Sequence, residues 1–395
     1  FIISTIINGS QPEHADTASC IFIIDGEDST TIVQGFTITG GKGTSWKDEH
    51  SPGTYREGGG IFTAFSSPVI QNNIIINNEA INKTGLASAG GGGIRSGDGN
   101  PKILNNIIKD NKGRYGAGIV FNWCNAIVKN NIIAGNSGGE DYGGGGIWLN
   151  KSHGGLRIIE NNTIVYNHSA SDGGGILLYN STSATIRNNI IFDNTANTSP
   201  QISARSGAAA SVSYSDVEGG WTGNGNINSD PIIDSLNFML NMELSPCIDA
   251  GDSNLIYNDP EDPGNAGIAE IPSLGTVRND MGAFGGPGRN SFPESLTGIK
   301  NDSGILLPNK FKLYQNYPNP FNPTTKIKFS LQESGFTTLK IFNILGLETV
   351  SFVDSYMPAG NYEIIFNASG LPSGVYICKL NQKNYTKTKK MLLLR

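Results

Sequence analysis

The stretch Asn100–Asn111 reads NPKILNNIIKDN. Two adjacent asparagines interrupt an aliphatic, strand-like run, and a third follows six residues after the first. Asn is a poor strand-interior residue because its amide competes for local backbone hydrogen bonds. One occurrence would mark a loop. Here the pattern returns as QNNIIINN from Gln71, KNNIIAGN from Lys129, ENNTIVYN from Glu160 and RNNIIFDN from Arg187. The pairs open with Asn72, Asn105, Asn130, Asn161 and Asn188, and close six residues on at Asn78, Asn111, Asn136, Asn167 and Asn194. A fixed motif in repeats of variable length describes one structural coil with loops inserted at tolerated corners.

A glycine run lies upstream of each pair. GGGI ends at Ile61, Ile94, Ile147 and Ile176, and GAGI ends at Ile119. From that Ile to the first Asn is 11, 11, 14, 12 and 11 residues respectively. Short β-type segments (SPVI, NPKI, NAIV, LRII, SATI) lie between. Each coil therefore holds three short strands, with corners at glycines and asparagines where φ > 0 or inward polar turns are needed. The expected fold is all-β: a parallel β-helix of about seven coils stacked ~4.8 Å apart, from about Ile21 to Gly220, with a partial coil before it. No convincing 3.6-residue apolar period supports a helical solenoid. The five opening asparagines, Asn72, Asn105, Asn130, Asn161 and Asn188, are expected to stack as an inward ladder that satisfies buried turn amides. The pattern resembles the right-handed parallel β-helix repeat proteins, the broad superfamily that includes pectate lyases. Handedness is what that resemblance implies.

Composition agrees with an extracellular all-β chain. Only 16% of the 395 residues are charged, and the 52 glycines follow no collagen period. The net charge of -6 argues against a nucleic-acid partner. Residues 311–395 carry 10 basic and 4 acidic side chains, the remainder 18 basic and 30 acidic, so tail and body are separate modules. No apolar run is long enough to span a membrane. Cys20, Cys124, Cys247 and Cys378 lack metal-ligand spacing and read as buried thiols. The chain opens at Phe1 inside an apolar run, as expected of a fragment or mature form.

The expected organisation is a β-helix over 1–240, a closing segment over 241–290, a polar linker over 291–310 and a small β-sandwich over 311–395. The segment SPCIDAGDSN…GAFGGPG resembles the closing segments of β-helices in secreted bacterial proteins. Its acids, Asp249, Asp252, Asp259, Glu261, Asp262 and Asp280, are the candidate Ca²⁺ ligands, although their spacing matches no EF-hand loop. No firm cofactor or metal is expected. The tail has turn signals about every 8–12 residues, as a sandwich does. With YPNPF at 317–321, PAGNY at 358–362, LPSGVY at 371–376 and a basic end, it closely resembles the type A C-terminal sorting domain of the type IX secretion system. The matching residues are Tyr317, Pro318, Asn319, Pro320, Gly360, Tyr362, Gly374, Tyr376, Lys389 and Lys390. The resemblance implies contact with outer-membrane secretion machinery, a periplasmic intermediate in a Gram-negative cell, and release or display at the surface.

In the strand after each glycine run, the Ile should point inward and the next residue outward. Phe62, Arg95, Val120, Trp148 and Leu177 then form one outward column; Ala64, Gly97, Asn122, Asn150 and Tyr179 form another. Aromatic rings beside Asn and Arg suit sugars. The candidate carbohydrate-binding set is Phe62, Arg95, Asn122, Trp148, Asn150 and Tyr179, walled by loops carrying Trp46 and Tyr115. No stacked aspartates or ordered carboxylate pair identify catalytic residues, although Arg95, Asp98, His50, Glu140 and Asp141 supply ionisable groups. His153 and His168 read as surface residues. The expected function is polysaccharide binding or a surface and adhesion scaffold, by a monomer. The alternative is a polysaccharide lyase or glycoside hydrolase acting in the same groove.

Overall fold

The computed structural model describes residues 5–48, 50–234, 237–289, 311–331, 335–357, 360–382 and 385–394. It forms two compact units, Phe1–Gly298 and Ile299–Arg395. The expected linker, 291–310, lies outside the described residues. No described helix is long and apolar enough to cross a membrane.

The first unit is a parallel β-solenoid of about seven turns. Its first face stacks Ile21–Ile23, Ile61–Ala64, Ile94–Gly97, Ile119–Asn122, Ile147–Asn150, Ile176–Tyr179 and Ile202–Ala204. The second face holds the strands before each Asn pair, from Ile32–Gln34 to Ala209–Ser213; the third holds those after it, from Ile6–Asn8 to Asp216–Val217. Register keeps like residues in columns: Ile61 pairs with Ile94, then Ile119, Ile147, Ile176 and Ile202. The inward members of all three faces make one continuous aliphatic core, including Ile61, Ile70, Ile75, Ile94, Ile103 and Ile108. The glycine runs are dictated by close stacking. A Cβ on Gly93 would lie 2.5 Å from the Gly118 carbonyl oxygen of the next coil, and one on Gly118 2.5 Å from that of Gly146.

Two asparagine ladders run through the corners, displaced from the expected one. The stacking residue is the second of each pair. The Asn106 amide nitrogen donates to the carbonyls of Ile70 (2.8 Å) and Leu104 (3.0 Å) and to Asn131 Oδ1 (3.1 Å), while its oxygen accepts from the Asn73 backbone N–H (3.0 Å). Asn73, Asn131, Asn162 and Asn189 continue the column, with Ser215 at its end. The closing asparagines, Asn78, Asn111, Asn136, Asn167 and Asn194, form the second ladder. Asn72, Asn105, Asn130, Asn161 and Asn188 instead take left-handed backbone conformations, φ 51–55°. Asn pays less than other side-chain-bearing residues there. That turns the chain from the second face onto the third and directs their side chains away from the ladder. Only a long 3.4 Å contact, Asn188 to Asn161, links two of them.

Residues 237–289 lie along the flank of the third face. Its outward column, Ile74, Ile107, Ile132 and Ile190, packs against Phe238, Leu240, Cys247, Leu274, Met281, Ala283 and Phe284. Asn130 donates to the carbonyls of Ala283 and Gly285, and Asn161 to that of Asp280, so these turn asparagines anchor the segment. Its acids organise the segment itself. Asp280 accepts from the backbone N–H groups of Asp249 (2.8 Å) and Leu274 (2.7 Å), Asp259 from those of Asp280 and Gly286, and Asp249 from Thr276. Asp262 and Glu261 accept from Gly264 and Gly267, and Asp252 from Asn254. Among the described residues these acids do not converge as metal ligands. Burial pushes the Asp259 carboxyl up to about 7, and raises Asp280 beside it.

The second unit has a three-stranded antiparallel sheet (Lys312–Leu313, Thr324–Leu331, Gly360–Asn367). Its four-stranded partner runs in the order Glu348–Met357, Gly335–Asn343, Gly374–Gln382, Tyr385–Leu393. They share a core around Phe329, Leu339, Ile341, Leu380 and Met391. All four cysteines are unpaired, and Cys124, Cys247 and Cys378 are buried.

Candidate functional site

The column Phe62, Arg95, Val120, Trp148, Leu177 does point away from the aliphatic core, but it is not open to solvent. Phe62 is 0% exposed, Arg95 1% and Trp148 6%. The cause is a fourth row of strands, which the loops before the glycine runs contribute: Gly43–Lys47, Thr54–Glu57, Ser88–Gly90, Lys112–Tyr115, Ser137–Gly143, His168–Asp172 and Thr195–Thr198. Tyr55 and Tyr115 from this row pack with Val120, Trp148, Leu177 and Tyr179 as a second apolar cluster. Tyr115, expected on a loop wall, is itself 3% exposed. The sequence showed loops of unequal length; the missing element was their mutual pairing.

Beneath that row lies a buried polar network. Arg95 Nε stands 2.9 Å from Glu57 Oε2, Arg95 donates to the Thr63 carbonyl (3.0 Å), and the Tyr115 hydroxyl donates to Glu57. Burial pushes the Glu57 carboxyl up, against the pull of Arg95, and pushes the Tyr115 phenol well up. A Cβ at position 97 would meet Arg95 Nη1 at 2.3 Å, so Gly97 makes room for the guanidinium. Asp141 is a second structural anchor, bound by Arg114 (2.8 and 3.0 Å), Lys83 and Ser88; the hydrogen bonds from Arg114 lead in holding its carboxyl far below the usual range. Neither group is available for ligand.

The accessible surface begins one residue later. The first-face strands end in register at Gly97, Asn122 and Asn150. The next residues, Phe65, Asp98, Trp123, Lys151 and Asn180, all have φ between 48° and 55°. Five of the seven coils thus make the same left-handed corner and project a side chain outward. Phe65 is 41% exposed, Lys151 is exposed, and Trp123 is half-buried. Extending the repeat register by a single column would have found this set.

The long first loop meets that corner. His50 Nε2 lies 2.6 Å from Asp98 Oδ1, and its ring stacks on Trp123 (4.1 Å between centroids, 26°). His153 Nε2 approaches the same Asp98 oxygen at 3.2 Å. Lys151 Nζ sits 4.6 Å from the Trp123 ring centroid. Asp48 accepts from the His50 backbone N–H and from Asn122 Nδ2 (both 2.8 Å). From Asn122 a chain of amides climbs the face, Asn150 donating to Asn122 (2.7 Å) and Asn180 to Asn150 (2.9 Å). An open cleft of about 710 Å³ lies beside Trp46, Lys47, Asp48, His50, Ser51 and Pro52. Of the sequence-derived set, Asn122, Asn150 and Trp46 therefore border the site. Phe62, Arg95, Trp148 and Tyr115 are buried instead, and Tyr179 takes Arg205 over its ring at 5.1 Å. Glu49 lies outside the described residues.

Residues 81–229 match the family model for the right handed beta helix region, and residues 315–394 that for the secretion system C-terminal sorting domain. The chain is a right-handed β-helix protein with a C-terminal secretion sorting domain. No curated protein and no solved structure matches it. The sorting domain implies export by the type IX system, contact with that machinery, and secretion or an outer-surface destination. Its motif residues divide by structural duty. Phe321 is buried, and Tyr376 donates to the Pro372 carbonyl (2.8 Å). Asn319 clamps the last strand, accepting from Leu392 N–H and donating to the Lys390 carbonyl. Tyr317 is 80% exposed. Pro358 and Ala359 of the PAGNY stretch lie outside the described residues.

Proposed function

We propose that the exported β-helix binds an extended saccharide along the left-handed corner column, acting as a monomer outside a Gram-negative cell after a periplasmic intermediate. The observation that carries this reading is the in-register projection of Phe65, Asp98, Trp123, Lys151 and Asn180 beside the Asn122–Asn150 amide chain and the cleft. Sugar rings present apolar faces to aromatic rings and hydroxyls to amides and carboxylates. Coils ~4.8 Å apart place successive contacts at about the length of one sugar residue. Adhesion or surface scaffolding would use the same contacts.

The test is a glycan array followed by titration calorimetry of the full chain. Trp123→Asn keeps a residue tolerant of the left-handed corner while removing the ring, and should weaken binding about fivefold, the ~1 kcal/mol of one aromatic platform. Arg187→Ala, whose side chain faces Asp252 and Tyr257 on another side, should not. Equal affinities for the two variants, or an array with no hits, would overturn the reading.

The His50–Asp98 contact beside Asp48 favours a second reading, a polysaccharide lyase or glycoside hydrolase with that pair supplying the base. Chain cleavage abolished by Asp98→Asn would support it, and no cleavage across uronate and neutral polysaccharides would exclude it.

A further inference from the structure

We infer that His50, Asp98 and His153 form a binding site for one divalent transition-metal ion of the zinc class. Among the described residues this is the sole group of three such side chains whose ligand atoms all lie within 4.8 Å of one another. The three come from separate elements: the first loop, the corner after Ile94–Gly97 and the corner after Ile147–Asn150. Two imidazoles and one carboxylate are the donor types that suit zinc, nickel and copper rather than calcium or magnesium.

The geometry is near what such an ion requires. Bonds of ~2.0–2.1 Å in a tetrahedral shell place neighbouring ligand atoms about 3.3 Å apart. His153 Nε2 to Asp98 Oδ1 is 3.2 Å, already at that separation. His50 Nε2 to the same oxygen is 2.6 Å, so the His50 ring must withdraw by a fraction of an ångström. Both histidines direct Nε2, not Nδ1, at one point. The Trp123 ring stacked on His50 restricts its rotation, and the His50 backbone is held by Asp48. The Asp98 side chain is only 12% exposed, while those of His50 and His153 are 29% and 49% exposed, which gives a partly desolvated carboxylate with an open approach. Lys151, above Trp123, is a nearby cation, Lys47 lines the adjoining cleft, and Asp48 is a further anion beside the site.

Three protein ligands leave at least one coordination position free, the pattern of an open rather than a purely structural site. The ion would also fasten the first loop to the corner after Ile94–Gly97, 48 residues away in sequence, and tie that corner to the one after Ile147–Asn150, 55 residues on. The inference stands on ligand geometry and does not rest on the saccharide reading.

The test uses the full chain stripped with a chelator. Titration calorimetry with ZnCl₂ should give one equivalent bound, and Co²⁺ should produce visible ligand-field bands of a low-coordinate site. His50→Gln, His153→Gln and Asp98→Asn should each weaken Zn²⁺ at least about tenfold, the loss that even outer-shell partners of a metal produce. Asn suits the left-handed backbone at position 98, so that variant should fold. His168→Gln should leave binding unchanged, since His168 contacts Thr195 away from the site. Absence of saturable one-to-one binding by the folded wild type, or Zn²⁺ affinity undiminished in the three variants, would overturn the inference. Failure of the glycan experiments alone would leave it standing.

Discussion

Adjacent residues Asn105 and Asn106 should respond very unequally to substitution. Asn106→Leu replaces a side chain of similar size and removes every polar contact it makes. The Asn73 backbone N–H then loses its acceptor, and the Ile70 carbonyl and Asn131 Oδ1 each lose a donor, all within the buried corner. The Leu104 carbonyl retains the Asn72 N–H at 3.1 Å. One orphaned buried N–H costs ~1–3 kcal/mol, and each lost net hydrogen bond adds about 1 kcal/mol. The expected destabilisation is about 3 kcal/mol. Asn105→Gly, by contrast, keeps the left-handed backbone at φ 54°, and Asn105 Oδ1 has no hydrogen-bond partner to lose. Asn105 is buried, so some packing is lost with its side chain, and the cost should be about 1 kcal/mol, well below that of Asn106→Leu. The assay is urea unfolding followed by tryptophan fluorescence. All four tryptophans (Trp46, Trp123, Trp148, Trp221) lie in the solenoid and none in the tail, so the signal reports the right unit. Equal midpoints for the two variants, or a larger loss for Asn105→Gly, would refute the assignment of the ladder to the second asparagine.

Arg95→Met should destabilise the solenoid by about 3–5 kcal/mol, because it leaves the buried Glu57 carboxylate without its cation; a midpoint within experimental scatter of wild type would show that the pair is not desolvated. The thermal midpoint of the solenoid should be lower at pH 8 than at pH 5. Asp259 and Asp280 have folded-state pKa values raised by burial, to about 7 for Asp259, so the folded chain binds more protons than the unfolded one across this window. Stability is then lost as pH rises through the folded values, and Glu57, raised by its own burial, acts in the same direction. A midpoint that climbs from pH 5 to pH 8 would contradict that sign.

What could be read from the sequence was whatever repeats in register. The recurring glycine runs, each followed 11 to 14 residues on by an Asn pair whose closing Asn always comes six residues later, are enough to define coils, three core strands and the number of turns, because stacking forces equivalent residues into columns. The tail was equally legible, since its motif order survives without knowledge of contacts. Which Asn of each pair stacks was not legible. The two choices differ by one residue, and the decision depends on which one takes positive φ, a conformation that Asn tolerates at either place. The exposure of the first face failed for a different reason. Orientation in a strand follows from alternation, and Phe62 and Trp148 do point away from the aliphatic core. Whether an outward residue meets water depends on non-local pairing of the loops, and Gly43–Lys47, Lys112–Tyr115 and Ser137–Gly143 share no motif that would announce a sheet. Burial of Arg95 then follows from one loop residue, Glu57, rather than from anything in its own strand. The candidate site illustrates the same limit. Asp98, Trp123 and Lys151 belong to a column that the repeat defines, so they were within reach of a longer alignment of the coils. His50 was named only as an ionisable loop residue; its arrival at that column was not legible, since it comes from an insertion with no counterpart in the other coils. An insertion that reaches the repeat's own corner column is where a scaffold built for stacking can acquire a chemistry that stacking does not require.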